Sequence, residues 1–198
     1  MDLKIMTLRR RITQMPDFDS KDPGFFTQQV MLIGTNDIDG KERFCPISWV
    51  SYTWGPPACL VVSIWGVKTT KENIARTGLF SAAVVTPELL PLCEQFNRGT
   101  YKKELFDSLQ YETQRGAVFD VPILKDSKYS FECKVLTTAQ IRETVTYFGE
   151  IGNINISKEI QEMDFFDLSR INPVVYSPEN YFTIGRHLGK IGDFAKDI

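Results

Sequence analysis

Short apolar runs separated by compact polar breaks fill residues 30–85, the pattern of strands that turn back on one another. Residues 30–35 form an apolar run with strand character. Asn36-Asp37-Ile38-Asp39-Gly40 is a turn, because Asp-Gly supplies the positive φ that tight hairpins need. Residues 43–52 return as a second strand, and Pro46, which cannot donate to a ladder, marks an edge or bulge near its start. Gly55-Pro56-Pro57 ends it. Residues 58–65 are apolar enough to predict a strand buried on both faces. Thr69-x-x-Glu72 predicts a capping box at the start of a helix that Gly78 stops. Residues 79–85 read as a further strand. Thr86-Pro87 predicts the opening of a second helix, whose buried face is Leu89, Leu92, Cys93 and Phe96.

The second half is less regular. Residues 101–120 predict a short helix and an excursion over the surface, and residues 129–136 and 144–156 predict two more strands. Gly149 inside the latter signals a bulge or close backbone approach. Residues 157–167 allow a helical turn or two, and the tail from residue 176 onward has no clear period. Residues 1–28, with Pro16, Pro23 and Gly24, read as an arm before a domain spanning 29–198. Strands dominate and helices interrupt them. The expected class is therefore mainly β with inserted helices, a closed or partly closed antiparallel barrel and not a doubly wound parallel sheet.

Composition narrows the function classes. At 198 residues, with 42% apolar and 24% charged residues, the chain suits one soluble globular domain. A net charge of −2 gives no reason to expect nucleic acid, and Arg9-Arg10-Arg11 is the one basic run. No apolar stretch is long enough to span a membrane, and no secretory signal opens the chain, so a cytoplasmic protein is expected. Cys45, Cys59, Cys93 and Cys133 are scattered without a Cys-x-x-Cys pair, which points to reduced, buried thiols and away from a metal site. No paired carboxylates, Ser-His-Asp or Cys-His arrangement appears.

What remains is one ordered cluster. Val67-Lys68-Thr69-Thr70 leads into a helix, so hydroxyls, free amides and an ammonium converge where the helix dipole favours an anion. Ile47-Ser48-Trp49-Val50-Ser51, with Ser63 and Trp65 on the next strand, mixes apolar, aromatic and hydroxyl side chains suited to a flat heteroaromatic ring. Asn73 or Ser48 lies where a polyol chain between ring and phosphate would pass. Taken in this order they read as a flavin nucleotide site. Each feature alone has a plainer account: capping explains Thr69 with Glu72, and the Trp residues suit a core or interface.

The order PISWVS, a Pro-Pro corner, an apolar strand and then KTTKENIARTGLFSAAVV resembles the flavin reductase-like family of the FMN-binding split-barrel superfamily. It looks most like the flavoredoxin-type branch. The likeness continues in FECKV (residues 131–135), YFGEI (147–151), Asn172-Pro173 to Tyr176, and the closing residues 181–189. The resemblance implies a homodimer of six-stranded antiparallel split β-barrels with FMN at or near the subunit interface. It places Ile47, Ser48, Trp49, Val50 and Ser51 along the flavin ring, and Lys68, Thr69 and Thr70 at the phosphate. Asn73 lies on the following turn, and Arg98 and Lys102 match positions where some relatives add phosphate contacts. Relatives commonly carry Asn where this chain has Ile47, and a His near the nicotinamide where it has Thr144. Its single histidine, His187, sits in the tail.

Three functions follow as expectations. The first is an FMN-dependent oxidoreductase of the flavin reductase or flavoredoxin kind, drawing electrons from NAD(P)H. The second is an FMN-binding electron carrier served by a redox protein partner. The third is a flavin-free barrel that binds a small molecule.

Overall fold

The computed structural model describes residues 27–99, 109–162, 167–177 and 180–190. Its central feature is a seven-stranded antiparallel sheet. In chain order its strands are β2 (Met31–Asn36), β3 (Glu42–Ile47), β4 (Val50–Thr53), β5 (Cys59–Ile64), β6 (Leu79–Val84), β9 (Tyr129–Ile141) and β10 (Thr144–Ile156). Their spatial order is β3-β2-β6-β9-β10-β5-β4. The two terminal strands are consecutive in the chain, separated by Ser48 and Trp49 alone. Residues 43–52, expected as one strand, are thus two segments of one bent strand: β3 pairs with β2 (Met31 opposite Ile47) and β4 with β5 (Val50 opposite Val62). The bend curls the sheet into a split barrel, and counting the bent strand once gives the six strands expected. Hydrogen bonds hold the bend: Val50 N–H donates to Ser48 O at 3.0 Å, and Ser63 N–H to Trp49 O at 3.0 Å.

Alternation along the strands divides the core in two. Met31, Ile33, Cys45, Ile47, Leu60, Val62, Phe80 and Cys133 fill the barrel, joined by Ile74 from helix α1 (Thr69–Thr77). Val30, Leu32, Phe44, Ala83 and Val85 face outward and are covered by Cys93 and Phe96 of helix α2 (Leu90–Gly99) and by Val174. The strands sealed on both faces are therefore β2 and β6. β5 buries Leu60, Val62 and Ile64 inside but leaves Val61 and Ser63 half-exposed, which corrects the expectation for residues 58–65.

Helix α2 also departs from the sequence reading. Residues 87–89 form turns, with Leu89 N–H bonded to Thr86 O and Leu90 N–H to Pro87 O, and the helix starts at Leu90. A small outer sheet joins β1 (Gln28–Gln29), β11 (Val174–Ser177) and β12 (Asn180–Thr183), with Tyr181 donating a hydrogen bond to Glu94 of α2. β7 (Thr113–Arg115), within the surface excursion expected for residues 101–120, pairs with β8 (Pro122–Leu124), just beyond it, and residues 101–108 of that expectation lie outside the described residues. Short helices α3 (Lys158–Gln161) and α4 (Leu168–Ile171) each add one isoleucine, Ile160 and Ile171, to the barrel cluster. Residues 1–26 of the expected arm lie outside the described residues. No helix among those described is long and apolar enough to cross a membrane.

Gly149 has the role its sequence position suggests. The β9–β10 register shifts at Phe148/Gly149, and a methyl group on Gly149 would stand 2.5 Å from Cζ of Phe80, a fully buried ring. Gly149→Ala is expected to destabilise the fold by about 1–3 kcal/mol through overpacking, read from denaturant midpoints. An unchanged midpoint would mean that the ring moves aside freely.

Candidate functional site at the start of helix α1

The site is built where β5 leaves the barrel. After Ile64 the chain passes Trp65, Gly66 and Val67 and enters α1 at Thr69. Lys68 holds the N-cap position with extended backbone (φ −147°, ψ 133°), and no side chain caps the helix. The predicted capping box is therefore absent: Thr69 is the first helical residue and exposed, and Glu72 is exposed. The first turn instead closes through Lys68 O, which accepts from Lys71 N–H at 2.9 Å and from Glu72 N–H at 3.4 Å. Among the described residues the amides of Thr69 and Thr70 make no hydrogen bond. Unsatisfied amides at the positive end of a helix dipole are an anion-binding arrangement.

Lys71 supports this turn from behind. Its Nζ donates to Gly66 O at 2.8 Å and to Glu143 O at 2.7 Å, tying the entry loop to the tip of the β9–β10 hairpin. Gly66 has φ +76°, a left-handed conformation that favours glycine.

Beside the helix start lies the bent strand. Ser63 N–H reaches Trp49 O, and Ser51 stands opposite Val61, so the Ser48–Trp49 bend and the end of β5 are immediate neighbours. Ser63 Oγ shares a hydrogen bond of 2.8 Å with Thr146 Oγ1. β4 is terminal in the sheet, so among the described residues one side of its backbone has no strand partner. Trp49, Trp65, Tyr52, Trp54 and Val67 are all exposed, Trp54 and Val67 more than nine-tenths so. Trp49, whose carbonyl takes Ser63 N–H, lies toward the helix end of β5 with Trp65 and Val67, while Tyr52 and Trp54 lie toward its start, where Tyr52 stands opposite Leu60.

The predicted site residues divide accordingly. Ser48, Trp49, Ser51, Ser63, Trp65, Val67, Lys68, Thr69 and Thr70 belong to this region, with Thr70 buried against the barrel. Ile47 points into the barrel core, and Val50 packs against the same cluster, so both offer backbone only. Asn73 is 4% exposed and its amide donates to Thr35 Oγ1 at 3.0 Å, which anchors α1 to β2. Arg98 is exposed on the last turn of α2, with no hydrogen bond or ion pair to this group. Lys102 lies outside the described residues. His187 is exposed in the tail.

Two polar residues escaped the sequence reading: Lys71, and Glu132 near the start of β9. Glu132 is fully buried and its carboxylate accepts five hydrogen bonds. Ala117 N–H (2.8 Å), Asn153 Nδ2 (2.8 Å) and Asn155 Nδ2 (2.9 Å) reach Oε1; Val118 and Phe119 N–H (2.9 and 2.8 Å) reach Oε2. Burial alone would raise its pKa, but these donors outweigh it and hold the carboxyl at about 2. The signal lay in a carboxylate set between the apolar Phe131 and Cys133, together with Asn-x-Asn at 153–155. All four cysteines are free and buried. Burial pushes the Cys93 thiol up to about 12, which removes it as a nucleophile at neutral pH.

Comparison with known proteins places the fold. Residues 24–185 match the family model described as flavin reductase like domain. No curated protein matches the sequence significantly. Among solved structures, flavoredoxin from Methanosarcina acetivorans superposes with a TM-score of 0.81 at 21% identity, over 91% of this chain and 97% of that one. Flavoredoxin of Desulfovibrio vulgaris gives 0.82 at 18% identity, over 92% and 100%. A putative flavin reductase with a split barrel domain from Shewanella frigidimarina gives 0.74 at 25% identity, over 83% and 85%. With the family model spanning most of its length, this chain belongs to the flavin reductase like domain family.

Proposed function

We propose that this protein is an FMN-dependent oxidoreductase of the flavin reductase or flavoredoxin kind. The observation that carries this reading is the uncapped start of α1, where two unbonded amides and Lys68 meet an apolar, aromatic surface. The residues fit the nucleotide. Thr69 and Thr70 N–H groups and the Lys68 ammonium would hold the phosphate. The unpaired backbone of β4 would bond the polar edge of the ring, and Trp49 and Trp65 would shield it from water. When bound, FMN supplies the capacity to accept a hydride and pass on electrons singly or in pairs. The chain would orient the ring and exclude solvent, with Lys68 supplying positive charge at the phosphate.

A second copy of the chain is the natural cover for Trp49, Tyr52, Trp54, Trp65 and Val67, which makes a homodimer with the flavin near its interface part of this reading. Four buried free thiols suit a reducing compartment, in keeping with a cytoplasmic protein.

The test is anaerobic mixing of the FMN-loaded protein with NADH and with NADPH, followed by visible absorbance. Bleaching at turnover rates is the expected result. A protein that takes up FMN but stays inert to both nucleotides is an electron carrier served by a redox partner. One that takes up no FMN overturns the reading.

A further inference from the structure

The Lys71 ammonium is held by two backbone carbonyls from segments far apart in the chain, Gly66 and Glu143. Among the described residues no carboxylate pairs with it. Carbonyl dipoles orient an ammonium but do not neutralise it, and a half-buried charge without a counter-ion is costly. The first helical turn puts this charge at the same end of α1 as the unbonded Thr69 and Thr70 amides.

We propose that Lys71 is a positioning residue of the phosphate cradle. It fixes residues 66–69 against the hairpin tip, so that the two amides converge, and it adds a preorganised positive charge to the field at the helix start. This rests on the FMN reading above and extends it to a residue that sequence order did not single out. A simple structural strut would hold the loop equally for any ligand. A cradle residue acts on the phosphate alone.

Riboflavin, which lacks the phosphate, separates the two. Flavin fluorescence titrations of the full chain with FMN and with riboflavin give a discrimination ratio, and thermal melting without ligand gives the structural cost. For Lys71→Met, FMN affinity is expected to fall about tenfold or more, the size of one charge-assisted hydrogen bond, with riboflavin affinity unchanged. Lys71→Gln, which keeps a donor but no charge, is expected to narrow the ratio likewise and stands in if the Met variant does not fold. Equal losses for both flavins, or an unchanged ratio, overturn the proposal while leaving the phosphate site standing. A wild-type protein that binds both flavins equally overturns the phosphate site itself, and this role for Lys71 with it.

Discussion

Glu132→Gln is expected to cost about 3–5 kcal/mol of stability, the largest single effect in this molecule. The carboxylate accepts from five donors, three of them consecutive backbone amides in the loop before β8, and only Asn153 has a second acceptor, Asn155 Oδ1 at 3.4 Å, among the described residues. A glutamine presents one oxygen and turns its NH2 group toward donors, so in either orientation at least two buried N–H groups lose their acceptor. Urea unfolding of the two proteins measures the difference; a loss below about 1 kcal/mol would mean that water replaces the carboxylate. The pH dependence has a fixed sign. The folded pKa, about 2, lies below the ordinary 4.5, so the unfolded chain binds the proton first as acid is added. The stabilisation, about 3 kcal/mol from this shift, is complete above about pH 4.5 and drains away as pH falls toward 2. Glu132→Gln should abolish that part of the acid sensitivity.

The second large effect is on the cofactor. Lys68→Ala combined with Thr69→Ala is expected to weaken FMN binding by tens-fold or more, since charge-assisted bonds contribute about 1.5–3 kcal/mol each. Thr69→Ala alone should change stability little, because the Thr69 hydroxyl caps nothing. That outcome differs from the loss of about 1 kcal/mol that a capping box would give. Calorimetric or fluorescence titration with FMN reads the first effect and thermal melting the second. Unchanged FMN affinity in the double variant would move the phosphate elsewhere.

The strand plan was legible because its signals are local. Asp37-Ile38-Asp39-Gly40 turns the chain, with Gly40 at φ +75°; Gly78 stops α1 at φ +69°, its N–H bonded to Ile74 O at 2.8 Å. What escaped depends on partners distant in the chain. Nothing in residues 43–52 marks the bend, which exists because one strand must serve β2 with its first half and β5 with its second. Burial on both faces of β2 is decided by α2 and Val174. The outer β11–β12 hairpin has no alternating pattern to read, being half-buried or exposed through Tyr176 and all of β12. In the site, sequence order singled out the start of α1 and the exposed aromatic residues beside the Ser48–Trp49 bend. It assigned Asn73 to a ligand when Thr35 takes its amide, and it passed over Lys71, whose second acceptor is 72 residues away.

That separation has a bearing on biosynthesis. The start of α1 emerges from the ribosome well before Glu143, so the loop ahead of the helix is fastened only once the β9–β10 hairpin has docked. A truncated product ending ahead of that hairpin would carry the helix without its fastening. On the proposed FMN reading, flavin uptake by nascent or truncated chains would therefore wait until residue 143 has been made and the hairpin has docked.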